Sequence, residues 1–266
     1  MQYKKIPLSA EDDEIYLEAF LPDRVGERLR PALLVMPGGG YECVCADREG
    51  EPIALAFLAH GFVGFVLHYT VARKKLFPAR LIEASTAIQH IKDHAEDYGI
   101  HPDWVFTVGF SAGGHLAAST GTLWKHPAIR EALDIPYGYN TPRGMMLIYP
   151  VIDGHYGSFY NLLCKDDPTP EELATVRLSA QVDGDTVPAF LMHTANDACV
   201  PVEDSLAMAG ALSRAGVPFE LHIYPDAPHG VALGNAITSM GIPAFENAAI
   251  AQWVEQAAFW ANNLCQ

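Results

Sequence analysis

The stretch Val108–Ala117, VGFSAGGHLA, follows an apolar run, precedes helix-forming residues, and sets a serine between two glycines at positions 109, 111 and 113. A strand ending at Phe110 and a helix beginning near Ala112 leave room only for a very sharp turn. Ser111 at its apex is expected at positive φ, a sparsely allowed and strained conformation. Positions 109 and 113 then approach each other, and glycine at both relieves a collision of side chains. The strain lifts the serine hydroxyl clear at a helix N-terminus. G-x-S-x-G in a strand–turn–helix context is the pattern of a nucleophile elbow. The plainer reading is a glycine-rich turn carrying an idle serine.

Outward from the elbow, short β-type runs alternate with helical ones: IYLEAF, PALLVMP, GFVGFVLHY, WVFTVGF, GMMLIYP, AFLMHT and FELHIYP. Most of the later runs are apolar throughout, as strands covered on both faces must be. Between Arg80 and Ala95 the residues Leu81, Ala84, Ile88, Ile91 and Ala95 make one apolar helical stripe, and Trp253, Ala257, Trp260 and Leu264 repeat the pattern. The run Ile53–Tyr69 is interrupted by His60, Gly61 and Gly64, so it reads as a buried helix, a turn and a buried strand, not as a membrane span. Alternation of this kind predicts an α/β fold in three layers. Its central sheet is mostly parallel and doubly wound, with helices on both faces and only the first strands antiparallel. One domain over residues 1–266 is expected. Residues 124–143 and 154–186 break the alternation. The second segment is read as a small cap-like insertion over the strand ends, with Thr169, Pro170 and Glu172 opening a helix through a capping box.

An exposed serine is a weak nucleophile until a base takes its proton, and the base must be oriented by a third group. The elbow fold places these in the order serine, acid, histidine. Asp197 follows AFLMHT, and His229 follows FELHIYP, so both fall on post-strand loops at the edge that carries Ser111. Asp204 and Asp226 compete for the acid role, but the first falls inside a helix and the second is too close in sequence to reach the ring. His193 and His222 read as packed strand residues, and His115 as packing or polar lining behind the serine. The loop PGGGY after ALLV brings bare backbone toward the elbow, which points to the N–H groups of Ala112 and Gly40, with Gly39 as a third, as donors to an oxyanion. It lacks the G-x-x-x-x-G-K-[ST] phosphate pattern.

Acidic residues outnumber basic ones 32 to 17, a net charge of −15, so nucleic acid and acidic membranes are excluded as partners. The N-terminus shows no apolar signal region, which gives the expectation of a cytoplasmic protein. The five cysteines are read as reduced thiols. Homo-oligomer formation is left open.

MPGGGYECVCADREGEPIALAFLAHGFVGFVLHYTV, GFSAGGHLA, HTANDACVPVEDSL and PHG together resemble the α/β-hydrolase serine esterases, in particular the bacterial acetyl-esterase or acetylxylan-esterase-like branch, over about residues 15 to 262. Pro37 stands where the wider lipase motif has histidine. The resemblance implies a serine esterase with Ser111, Asp197 and His229 as its triad. It implies short acyl substrates, O-acetylated sugars among them, and no metal or organic cofactor. Tyr41, Arg48, Glu49 and Tyr69 are candidate substrate contacts by position. Two other readings remain: a prolyl-oligopeptidase-type peptidase, which would carry a large additional N-terminal domain, and a hydrolase-fold binding module without catalysis.

Overall fold

Eight strands in the computed structural model, which describes residues 1–154 and 157–265, are β1 (Gln2–Pro7), β2 (Tyr16–Leu21), β3 (Arg30–Met36), β4 (Val63–His68), β5 (Ile100–Phe110), β6 (Gly144–Ile148), β7 (Ala189–Thr194) and β8 (Phe219–Tyr224). The helices between them are α1 (Ala46–Glu49), α2 (Glu51–Leu58), α3 (Ala79–Asp93), α4 (Ala95–Tyr98), α5 (Ser111–Thr122), α6 (Pro127–Ala132), α7 (Gly157–Leu162), α8 (Pro170–Val176), α9 (Glu203–Ala215) and α10 (Trp253–Asn263). All eight strands join one sheet in the order β1-β2-β4-β3-β5-β6-β7-β8. β1 and β2 pair antiparallel, as do β2 and β4, and every pairing from β4 through β3 to β8 is parallel.

The apolar composition of the central strands explains the layering. In β3 the alternating side chains Ala32, Leu34 and Met36 pack into one cluster with Ala84 and Ile88 of α3 and Ala117 of α5. Leu33 and Val35 pack into a second cluster with Phe57 of α2 and Trp253 and Ala257 of α10. Helices therefore cover both faces. Leu33, Leu34 and Val35 are fully buried, and burying each contributes about 1.5–3 kcal/mol.

The stripe on the first long helix is buried as expected, although α3 ends at Asp93 and Ala95 opens α4. The capping box also forms: the Thr169 hydroxyl accepts the Glu172 N–H at 3.2 Å, and Glu172 accepts the Thr169 N–H at 2.7 Å. Two edges differ from expectation. β1 lacks an apolar alternation and is exposed along most of its length, so it gives no pattern to read. β8 is the opposite edge strand, and His222 is half-buried there beside Glu220, its ring stacked on the buried Phe190. His155 and Tyr156, inside the expected insertion, lie outside the described residues. Among the described residues no helix is long and apolar enough to cross a membrane.

Candidate active site

Ser111 follows the last residue of β5 and is the first of α5, with φ at +52°. A Cβ at Gly109 would lie 2.0 Å from the Gly113 carbonyl oxygen, and one at Gly113 would lie 2.1 Å from that of Met36. Neither glycine tolerates a side chain. The elbow is thus strained at its apex and crowded on both flanks, which presents the hydroxyl at the N-terminus of α5.

Asp197 lies three residues past the end of β7, and His229 five past the end of β8. His229 Nδ1 is 2.7 Å from Asp197 Oδ2, and His229 Nε2 is 2.9 Å from Ser111 Oγ. Burial pushes the Asp197 carboxyl up, but hydrogen bonding from His193, His229 and the Val200 N–H outweighs it and holds the group well below the usual carboxylate range. An ionised carboxylate only accepts, so Nδ1 carries the proton and Nε2 is left to accept from the serine. The other carboxylate oxygen, Oδ1, accepts the N–H groups of Cys199 at 2.8 Å and Val200 at 2.9 Å, which fixes the plane of the side chain. His193 is fully buried behind the pair, bonded to Ser205 and the Val200 carbonyl, with Nε2 3.6 Å from Asp197 Oδ2.

The glycine loop after β3 approaches the elbow from the other side. Its carbonyls face away: Gly38 O accepts from Cys45 N–H, Gly39 O from Glu42 and Cys43 N–H, and Gly40 O from the Asn161 side chain. Gly39 and Gly40 reach this shape at φ of +123° and +64°, which glycine adopts freely. Among the described residues, no acceptor meets the N–H groups of Gly39, Gly40 or Ala112. Such free donors beside a nucleophile suit a developing oxyanion.

Ser111, His229, Gly39 and Gly40 line a cleft of about 410 Å³, together with Arg48, Glu49, Gly157, Ser158, Val151, Cys199 and Val200. Of the four candidate substrate contacts, Arg48 and Glu49 are thus in the cleft wall. Tyr41 and Tyr69 are not. Both are buried behind the glycine loop, where Tyr41 bonds His115 Nδ1 at 2.9 Å and Tyr69 donates to the Pro37 carbonyl at 2.5 Å. A positive φ of +58° turns Tyr41 into the core, under the Arg80 guanidinium. His115 is buried too, bonded to Tyr41 and to the Val176 carbonyl, and forms no part of the cleft lining. Asp204 accepts the Ile152 N–H at 2.7 Å, and Asp226 accepts from the Asn196 side chain, so neither competes with Asp197.

Val151, Cys199 and Val200 were not read from the sequence, although each follows a strand at the carboxyl edge, a position that marks cleft residues in such sheets. Burial keeps the Cys199 thiol above its ordinary value, so it presents a neutral group. A larger cavity of about 660 Å³, lined by Arg28, Arg30, His60, His101 and Trp104, lies at the opposite, amino-terminal edge of the parallel strands and holds none of these residues. Among the described residues no group of three or more His, Cys, Asp or Glu side chains is placed to hold a metal.

A strained serine after a central parallel strand, faced by a histidine–aspartate pair from later strand ends, defines the chain as an α/β-hydrolase. It belongs to the BD-FAE family, which matches residues 17–157, and residues 173–264 match the dienelactone hydrolase family. The fold superposes on MGS-M1, an α/β-hydrolase from a Medee basin deep-sea metagenome library, at a TM-score of 0.82. The two are 33% identical, over 99% of this chain and 98% of that one. An acetyl ester-xyloside bifunctional hydrolase from Caldicellulosiruptor lactoaceticus is 32% identical, with a TM-score of 0.83 and coverage of 98% and 96%. An acetylxylan esterase of Xylanibacter ruminicola is 29% identical over 87% of this chain and 47% of its own length. The chain spans only 33% to 54% of the length of the first curated relatives that it matches.

Proposed function

We propose that the chain is a serine carboxylic-ester hydrolase for short acyl esters, acetylated sugars or xylo-oligosaccharides among them. The observation that carries the reading is the relay from Ser111 through His229 to Asp197, with steps of 2.9 and 2.7 Å. His229 Nε2 takes the Ser111 proton as the oxygen attacks the ester carbonyl. The N–H groups of Ala112 and Gly40, with Gly39 beside them, hold the oxyanion, and loss of one such donor typically costs roughly 10²–10³ in kcat. Asp197 keeps the imidazole tautomer and stabilises the imidazolium. His229 then protonates the departing alcohol, the acyl group stays on Ser111, and water activated by the same histidine releases the acid. The cleft of about 410 Å³ is of ordinary size for a small-molecule site. Arg48, in its wall, would meet sugar oxygens. The names of the Caldicellulosiruptor and Xylanibacter relatives support acetyl esters of xylan-type sugars as the substrate class.

Hydrolysis of p-nitrophenyl acetate, butyrate and octanoate by the wild type and Ser111→Ala tests the reaction, and acetate release from an acetylated xylo-oligosaccharide tests the substrate class. The expected result is short-chain turnover that vanishes with Ser111. Turnover of prolyl peptides in place of esters, or no Ser111-dependent reaction, would replace this reading with a peptidase or a binding module. An unchanged kcat/KM for the oligosaccharide in Arg48→Ala would remove that contact.

A further inference from the structure

The proton transfers above make no use of Glu49, yet its carboxylate is only 2% exposed and lies against the nucleophile. A Cβ at Gly38 would be 2.8 Å from Glu49 Oε2 and 3.0 Å from Ser111 Cβ, so not even a methyl group fits between carboxylate and serine. Glu49 Oε2 accepts the Gly38 N–H at 2.8 Å, and Oε1 accepts the Tyr149 hydroxyl at 2.9 Å. That hydroxyl in turn accepts the Ala232 N–H at 3.1 Å. The Tyr149 ring meets the His229 imidazole edge-on, with centroids 5.0 Å apart. Gly38 opens the glycine loop, and Ala232 stands three residues past His229. One carboxylate and one phenol therefore span the two loops that meet at Ser111.

Backbone strain falls at the same places. Tyr149 and Ala232 have φ of +38° and +49°, and Ser111 has +52°, none of them glycine. Such conformations persist only where the surroundings over-determine them. Burial pushes the Glu49 carboxyl up against the hydrogen bonds from Gly38 and Tyr149. An apolar group of equal volume often serves stability as well as or better than a buried charge. What this one fixes is the position of its two ends.

We propose that Glu49 and Tyr149 are positioning residues, a clamp that holds the glycine loop and the His229 loop in register with Ser111. The catalytic part of this inference rests on the ester-hydrolase reading; the structural part does not.

The test compares Glu49→Gln, Tyr149→Phe and the double variant with the wild type. A glutamine cannot accept at both ends, and phenylalanine removes one oxygen while keeping the ring. Each single variant is expected to lower kcat on p-nitrophenyl acetate roughly 10- to 100-fold, the scale of a misplaced catalytic group, with KM within about threefold. The double variant is expected to be no worse than the weaker single, because both cut one link. Amide hydrogen exchange at residues 38–45 and 229–233 is expected to quicken together in each. Losses that multiply in the double variant, kcat left unchanged, or exchange that stays at the wild-type rate in both loops would overturn the clamp. Exchange is readable even where the wild type turns over no ester, so failure of the clamp and failure of the ester reading give different results.

Discussion

Replacing Asp197 with asparagine changes one atom, and the surroundings of that atom decide the outcome. Oδ1 receives two backbone donors, Cys199 N–H at 2.8 Å and Val200 N–H at 2.9 Å. The amide oxygen must stay there, which sends the NH₂ group toward His229 Nδ1 at the 2.7 Å contact. A donor facing Nδ1 forces the imidazole proton onto Nε2, and Nε2 can then no longer accept from Ser111. Flipping the amide restores the tautomer but sets its NH₂ against the buried Val200 N–H and the half-buried Cys199 N–H, at about 1–3 kcal/mol each. The productive arrangement is thus about 2–6 kcal/mol uphill, roughly a 30- to 20,000-fold loss in rate. Loss of the carboxylate that stabilises the imidazolium moves the result to the upper part of that range, about 10⁴-fold. Initial rates on p-nitrophenyl acetate at pH 7, with thermal melting to show an intact fold, measure the loss. A fall in kcat/KM of less than tenfold in a folded Asp197→Asn protein would refute the argument from amide orientation.

Gly109→Ala drives a methyl group to 2.0 Å from the Gly113 carbonyl. It is expected to cost about 3 kcal/mol or more, read as a lower urea midpoint. Thr169→Ala removes one arm of the capping box on α8 and should cost about 1 kcal/mol in the same assay, with ester turnover unaffected. His115 is expected to make stability pH-dependent. Burial holds its imidazole down at about 4 against an ordinary value of 6.5. The folded state therefore binds fewer protons between those values. Stability is complete above pH 6.5 and falls as pH drops toward 4, by about 3 kcal/mol in total. Unfolding midpoints measured from pH 7 to pH 4 should flatten in His115→Gln, and an equal slope in both proteins would disprove the assignment.

The elbow and the loops that face it were legible because each depends on local geometry. Gly109 and Gly113 answer a collision within five residues, and Asp197 and His229 could be placed by which strand each follows. Side-chain direction is a different matter. Tyr41 and Arg48 are both near the glycine loop in sequence, but one turns inward to His115 and the other faces the cleft. The inward turn of Tyr41 is set by contacts with residues distant in sequence, Arg80 and His115, the latter 74 positions away, which no short pattern encodes. Position alone makes Glu49 a candidate substrate contact; its burial depends on Tyr149, a partner 100 residues distant, which position does not reveal. β1 escaped for the opposite reason. An exposed edge strand has no buried face, so it leaves no apolar alternation to detect.

The order of assembly follows from where the reacting groups lie along the chain. Ser111 and His229 are separated by 118 residues. At usual translation speeds the ribosome makes the histidine roughly 6 to 24 seconds after the serine. The histidine's loop also hangs from β8, the edge strand that joins the sheet beside β7. On the proposed mechanism, a nascent chain already bearing the elbow has no base with which to activate it, and hydrolysis would begin only once that edge has docked.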